Sequence, residues 1–413
     1  MPYYNIQISK TMKKVFVLVV TALAMASCQK STKSIVVENS SDRAREEIVE
    51  FCSKEVAQTP DFIITDSEGK QIAYQKTSDE KVIFIAKVAA NSSSTYTLSA
   101  GKAEEAQTIA CGKQYPERVD DIAWENDKSA YRLYGPALQA KGEKAFGYDV
   151  WVKNCAEPVV EDRYAKELNP ETKAAIEALR TANPDSADAL YKSVSYHVDH
   201  GNGLDCYKVG PTLGGGAAAI MIGDSIAYPY CYKEYVITDN GPLRFAVKLT
   251  YNTENIDGEQ VTEIRTIICD AGSNLNKTIV EYKGLTKEQT IVAGPVLHDA
   301  DGGSNVANKE IGYVGYADPT DNINNGNGTI YVGAVFAEAI DDAKVVMFSE
   351  EEAASRGANG HVLGFSTYKP NSKFVYYWGG GWSKYGFDNF QQWEEYLKSY
   401  ALNVKEPLKV TIK

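Results

Sequence analysis

The sequence has 413 residues and a formal net charge of −12, with 43 Lys plus Arg against 55 Asp plus Glu. That acidic balance argues against nucleic acid as a partner and against adhesion to anionic lipid through the protein surface. The length suits one large β unit or two domains, with ample chain for a core.

Residues 12–28 read as an export signal. Met12-Lys13-Lys14 is basic, Val15 to Ala24 is apolar but short, and Met25-Ala26-Ser27-Cys28 has the form of a bacterial lipobox. The expectation is a signal peptide over 1–28 and a tether over 29–34. The exported protein is then held at the periplasmic or outer membrane by a lipid on Cys28, its sole membrane contact. An ordinary secretory peptide cut near Ser27 is the alternative. No later segment reaches the ~18 apolar residues of a spanning helix.

From 35 to 113 the runs Ile35-Val36-Val37, Phe62–Thr65, Val82–Ala86 and Thr95–Leu98 predict strands of a small β-sandwich-like region. Residues 170–192 predict helix, broken near Asn183-Pro184. Strands resume at Leu243–Tyr251, Val261–Cys269, Thr278–Tyr282, Tyr331–Phe336, Lys344–Phe348 and Phe374–Trp378, and a last helix covers Phe387 to Tyr400. The pattern is mainly β and antiparallel, with 114–413 as the binding or catalytic region. Cys52, Cys111, Cys155, Cys206, Cys231 and Cys269 show no CxxC spacing, and both free thiols and disulfides are open to them.

Four segments carry chemistry: 115–136, 146–153, 196–216 and 376–384. They mix Trp and Tyr with Arg, Asn, Asp and His, as sugars require, because C–H faces stack on rings while hydroxyls need polar partners. Candidate contacts are Arg118, Trp124, Asn126, Arg132, Lys153, Trp378 and Trp382. Arg118 and Arg132 are suited to gripping a carboxylate with paired hydrogen bonds. The run 196–208 holds two of the four histidines, His197 and His200, between Asp199 and Asp205, with Tyr207 following. These side chains fit proton transfer by His197, His200 and Tyr207. A weaker alternative is a divalent cation on His197, His200, Asp199 and Asp205. His298 is placed to reach the site from a distant loop, and His361 reads as structural.

The same segments resemble the domain-of-unknown-function 4861 family of exported proteins. The resemblance rests on Tyr-Pro-Glu-Arg at 115–118, Asp-Asp-Ile-Ala-Trp-Glu-Asn-Asp at 120–127 and Tyr-Gly-Pro-Ala-Leu at 134–138. It continues in Gly-Tyr-Asp-Val-Trp-Val-Lys at 147–153, Tyr-His-Val-Asp-His-Gly-Asn-Gly-Leu-Asp-Cys-Tyr at 196–207 and Tyr-Trp-Gly-Gly-Gly-Trp at 377–382. Cys111 departs from the pattern, which has Arg before the Tyr-Pro motif. The resemblance implies a β-supersandwich akin to galactose mutarotases and polysaccharide lyases, a place in bacterial polysaccharide use, and dehydration of a uronic acid. An acidic oligosaccharide is the implied partner.

Three functions compete. In β-elimination from a uronic acid, His197 or His200 is the base, Tyr207 the acid, and Arg118, Arg132 and Asn126 hold the carboxylate. Glycoside hydrolysis would use paired carboxyls from Glu117, Glu125, Asp149 and Asp205. A glycan-binding lipoprotein would need only the aromatics and Arg.

Overall fold

The computed structural model describes residues 32–413. The expected signal peptide and Cys28 lie outside them. Among the described residues strand makes up 44% and helix 18%, so the chain is mainly β, and every sheet is antiparallel. No helix there is long and apolar enough to cross a membrane.

The amino-terminal sandwich forms because its strands alternate. In Lys33–Asn39, Ile35 and Val37 point into the core and Glu38 points out. One sheet runs in the order Lys409–Ile412, Lys33–Asn39, Ser92–Ala100, Phe62–Thr65, Gln71–Ile72. It packs on a three-stranded sheet of Arg45–Cys52, Lys81–Val88 and Tyr74–Lys76. Two strands cross the boundary expected at 113/114. Lys409–Ile412 pairs with Lys33–Asn39, and Cys111–Tyr115 joins a sheet of the second unit.

That second unit has one large core shared by three sheets. An eight-stranded sheet runs from Tyr232–Asn240 at one edge, through Leu275–Lys283 and Phe374–Trp382, to Asn305–Asn308 at the other. A six-stranded sheet centred on Gly360–Tyr368 and a four-stranded sheet of residues 111–152 contribute to the same core. Helix Phe390–Lys405 covers the opposite face of the eight-stranded sheet with Trp393, Leu397 and Ala401.

Three tryptophans expected at a sugar surface are core residues. Trp124 stacks on Tyr131 and Phe245, and its indole N–H donates to Asn276 Oδ1 at 2.9 Å. Trp378 stacks on Tyr148 with centroids 3.8 Å apart and donates to Thr278 Oγ1 at 2.9 Å. Trp382 is equally buried and donates to the Asn327 carbonyl at 2.7 Å. Burial of each indole with its N–H paired stabilises the fold, and none offers a platform to a ligand. All six described cysteines are free thiols.

Candidate functional site

The site is built on the four-stranded sheet of Cys111–Tyr115, Asp121–Glu125, Ser129–Leu133 and Tyr148–Val152. Both faces of its last three strands are buried, and alternation sorts them. Ile122, Trp124, Tyr131, Tyr148 and Val150 face the large core. Asp121, Glu125, Arg132, Asp149 and Trp151 share the other face, where Arg132 stands opposite Asp149 in the register. Helix Val160–Glu167 and the 195–205 loop cover that face through Tyr164 and Tyr196, sealing its four charged residues beneath them.

Glu125 and Lys153 form one buried unit. Lys153 Nζ donates to Glu125 Oε2 at 2.6 Å and to the Asn126 carbonyl at 2.8 Å. Glu125 also accepts from the backbone N–H groups of Val159 and Val160, which start the covering helix. Lys153 is therefore a structural counterion, contrary to its expected role as a sugar contact. Asn126 is likewise structural. Its amide donates to the Asp270 and Ser273 carbonyls, and its oxygen accepts from Lys128 and Ser129 N–H.

Arg132 is not free to clamp a substrate carboxylate. Its Nη2 lies 2.5 Å from Asp149, 2.8 Å from Asp205 and 3.2 Å from the Tyr134 hydroxyl, and Nε lies 3.9 Å from Asp121. The guanidinium sits over the rings of Tyr134 and Trp151, at 4.9 and 5.1 Å. Three carboxyls thus crowd one buried cation. Burial pushes the Asp121 carboxyl up to about 6 against the opposing pull of Arg132 and Arg118. Burial, aided by the like charge of Asp149, pushes Asp205 up to about 6 as well.

Carboxyls raised in this way hold protons more tightly folded than unfolded, so they stabilise the fold below about pH 4. That contribution is lost as pH rises toward about 6. Asp121→Asn should therefore flatten the decline in unfolding temperature across this window. An unchanged slope in the variant would show that Asp121 does not titrate there.

The histidine run folds as a closed loop. Asp205 N–H donates to the Tyr196 carbonyl at 2.9 Å, and Leu204 pairs with Val152 through two 3.0 Å bonds. The Asp199 carboxylate accepts from Gly201 and Gly203 N–H, and His200 Nε2 meets the Ser195 carbonyl at 2.9 Å. Asp199 and His200 are thereby committed to the loop, which corrects both expected roles. The four expected cation ligands do not converge, and no group of three such side chains fit to hold a metal occurs among the described residues. Gly203 has a φ of +93°, and a Cβ there would lie 2.0 Å from the Val152 carbonyl oxygen. Only glycine permits that approach.

His197 is placed differently. Its Nδ1 lies 3.0 Å from the Asp205 carbonyl and 3.6 Å from the Asp205 carboxylate. A carbonyl only accepts, so Nδ1 carries the proton and the neutral ring keeps its lone pair on Nε2. The side chain is 42% exposed. Beside it, Tyr196 stacks on Trp151, with 4.9 Å between ring centroids, and its hydroxyl accepts from Arg118 Nε at 3.1 Å. Arg118 is 24% exposed, with Nη1 3.7 Å from Asp121.

The turn that aims Arg118 is strained: Val119 and Asp120 have φ of +49° and +65°, and Val119 is β-branched. Such conformations cost about 1–3 kcal/mol each and persist where surrounding contacts impose them. Here the Tyr232 hydroxyl donates to the Asp120 carbonyl at 2.5 Å, and Gly135 packs against the same oxygen.

The chain belongs to the DUF4861 family. The family's profile, described as a domain of unknown function, matches residues 37–410. A second chain similar to this DUF4861 protein is uncharacterized protein P7 of Formosa agariphila, 27% identical over 430 residues, which cover 97% of this chain and 100% of that one. Among solved structures, an alpha-mannosidase of Enterococcus faecalis aligns with 98% of this chain at 10% identity and a TM-score of 0.42. The DUF4861 chain spans 49% of that enzyme's length.

The structure thus brings His197, Arg118, Arg132 and Asp205 together and places Lys153, Asn126 and the three tryptophans elsewhere. Tyr207 is buried and faces His298 instead of the open side of His197. His361 is fully buried, accepts from Leu213 N–H, and is lowered to about 3 by burial. Sequence reading set Trp151 among the aromatics of these segments without giving it a role, and passed over Tyr196. The register signal for Trp151 was its spacing from Asp149, two positions along one strand.

Proposed function

We propose that the protein is a carbohydrate-active enzyme that acts on acidic oligosaccharides by β-elimination at a uronic acid. The observation that carries this reading is the exposed His197 imidazole, with Nδ1 anchored at Asp205 and its ring 4.5 Å from that of Tyr196, whose hydroxyl accepts from Arg118. Arg118 holds the substrate carboxylate and offsets the charge that develops as the C5 proton leaves. His197 Nε2 takes that proton, the C4–C5 double bond forms, and the C4–O4 bond breaks. Tyr196 gives its hydroxyl proton to the departing oxygen, and the site regains its protons by exchange with water. The acid is Tyr196 in place of Tyr207, because the Tyr196 ring lies against His197 and its hydroxyl touches Arg118, whereas Tyr207 faces His298.

Hydrolysis is less well supported. Glu125, Asp149 and Asp205 are buried in ion pairs, and Glu117 alone of the four candidate carboxylates is exposed.

Uronic oligosaccharides incubated with the protein should gain the ultraviolet absorbance of unsaturated uronates. His197→Ala should slow that gain by about 10²–10⁴-fold, and His200→Ala much less. New reducing ends without unsaturation would favour hydrolysis. A bound sugar left intact would favour a binding protein.

A further inference from the structure

A cleft that shares no residue with the His197 site lies between the six-stranded and eight-stranded sheets. Ile220 and Ala227 line it from the first sheet, and Tyr251, Glu263 and Tyr282 from the second. It is a cavity of about 30 Å³ with an open mouth, room for one or two groups the size of water.

Tyr251, Glu263 and Tyr282 are neighbours on one face of their sheet. Glu263 stands opposite Tyr282 in the register of strands Glu259–Asp270 and Leu275–Lys283. Tyr251 comes from the strand on the other side, Arg244–Ile256. Its ring centre lies 5.1 Å from the Arg265 guanidinium that binds Glu263. Facing side chains of adjacent strands sit about 4.5–5.5 Å apart at Cβ, so the three reach one small group between them. The Tyr251 and Tyr282 hydroxyls are buried and have no hydrogen-bond partner, and each residue is 6% exposed.

The charge of the cleft has one sign. Two carboxylates, Glu254 and Glu263, line it, and no cation does. Arg265 lies behind, fully buried. Its nitrogens donate to Glu263 Oε1 at 2.6 Å, the Tyr148 hydroxyl at 2.8 Å and the Ala218 carbonyl at 3.0 Å. Arg265 is thus committed within the protein, while Glu263 keeps its second oxygen for the cleft. Burial raises the Glu254 carboxyl above its ordinary range, with the like charge of Glu263 adding to it, and burial raises Glu263 as well. A cation in the cleft relieves both.

We infer that this cleft binds a primary ammonium group, the tip of a lysine side chain or of a small alkyl amine. An ammonium has three N–H donors and no acceptor, and the Glu263 oxygen and the two hydroxyls can accept all three. Water or a neutral alcohol would satisfy the hydroxyls but leaves the two carboxylates without a counterion. An anion would meet two like charges. Ile220 and Val261 give an apolar wall along which a methylene stem leaves the cavity. The assignment is independent of the reaction proposed at His197.

The whole protein is titrated with n-butylammonium, 1-butanol, butyrate and Nα-acetyl-lysine methylamide, and binding is followed by saturation-transfer nuclear magnetic resonance. The expected result is saturable binding of the amines, with 1-butanol and butyrate at least about tenfold weaker. Tyr251→Phe should weaken the amines about tenfold, and Tyr282→Phe, on the other side of Glu263, should do the same. Neither hydroxyl has a partner in the fold, so both variants should unfold at or above the temperature of the parent. Glu254→Gln, at the exposed rim, should weaken the amines about threefold. Tighter binding of the lysine derivative assigns the site to a protein side chain; binding of n-butylammonium at least as tight assigns it to a free amine. Equal binding of 1-butanol overturns the inference, as does parental amine affinity in both Tyr→Phe variants. If no amine binds, the inference also falls and the hydroxyls hold water alone.

Discussion

Arg132→Leu is expected to cost this protein about 3–5 kcal/mol, the usual penalty for removing one partner of a buried ion pair. Folded proteins of ordinary stability have only ~5–15 kcal/mol in total. Arg132 is the cation that Asp149 and Asp205 contact and that Asp121 faces at 3.9 Å. Without it, three carboxyls sit in low dielectric, with Arg118 3.7 Å from Asp121 and the His197 ring 3.6 Å from Asp205. The deficit should depend on pH in a stated direction. Removal of the cation raises the carboxyl affinities for protons further, so Arg132→Leu should be closest to the parent near pH 5 and furthest from it near pH 7.5. Thermal unfolding followed at both values checks this. Equal unfolding temperatures at pH 7.5, or a deficit that ignores pH, would show that the cluster is not held by charge.

Gly203→Ala should abolish most activity, while Gly201→Ala, two residues away, should keep it. The two glycines have nearly the same φ, +93° and +92°, so both alanines carry a similar conformational penalty of about 1 kcal/mol. They differ in space. A Cβ at 201 meets nothing within 4 Å, whereas at 203 it meets the Val152 carbonyl at 2.0 Å. Relief of that clash must push the loop from the edge strand and break the Leu204–Val152 pairing, which sets the place of Asp205 and hence of His197. A displacement of ~1 Å in a catalytic group can cost about 10²-fold in rate. The measurement is kcat/KM for both variants on the same uronide. Equal values would show that the close approach does not matter.

Much of the fold was legible because its strands follow simple alternation with apolar residues inside. Ile35 and Val37, or Phe245, Val247 and Leu249, give the period directly. The helices over Pro170–Ala182 and Pro184–Val194 also stood out, each opened by an Asn cap and a Pro in the first turn. The four-stranded sheet was not legible. Its strands carry Asp121, Glu125, Arg132 and Asp149 on a face that proves to be buried, and charge at alternate positions reads as a solvent or ligand face. The same ambiguity misplaced Trp124, Trp378 and Trp382, since a Trp beside Glu or Gly has the composition of a sugar platform whether or not a second sheet covers it. His197 and His200 illustrate a further limit. Three residues apart in one loop, they differ in role through a single contact each, a carbonyl at Nδ1 in one and at Nε2 in the other. No local pattern encodes which nitrogen will find the carbonyl.

The pairing of Lys409–Ile412 with Lys33–Asn39 bears on how the molecule comes together during synthesis. The amino-terminal sandwich lacks an edge strand until a segment translated after the whole second unit has emerged. Until then the backbone of Lys33–Asn39 offers unpaired N–H and C=O groups to any passing chain, so this edge is where premature association would begin and where a chaperone would be of most use.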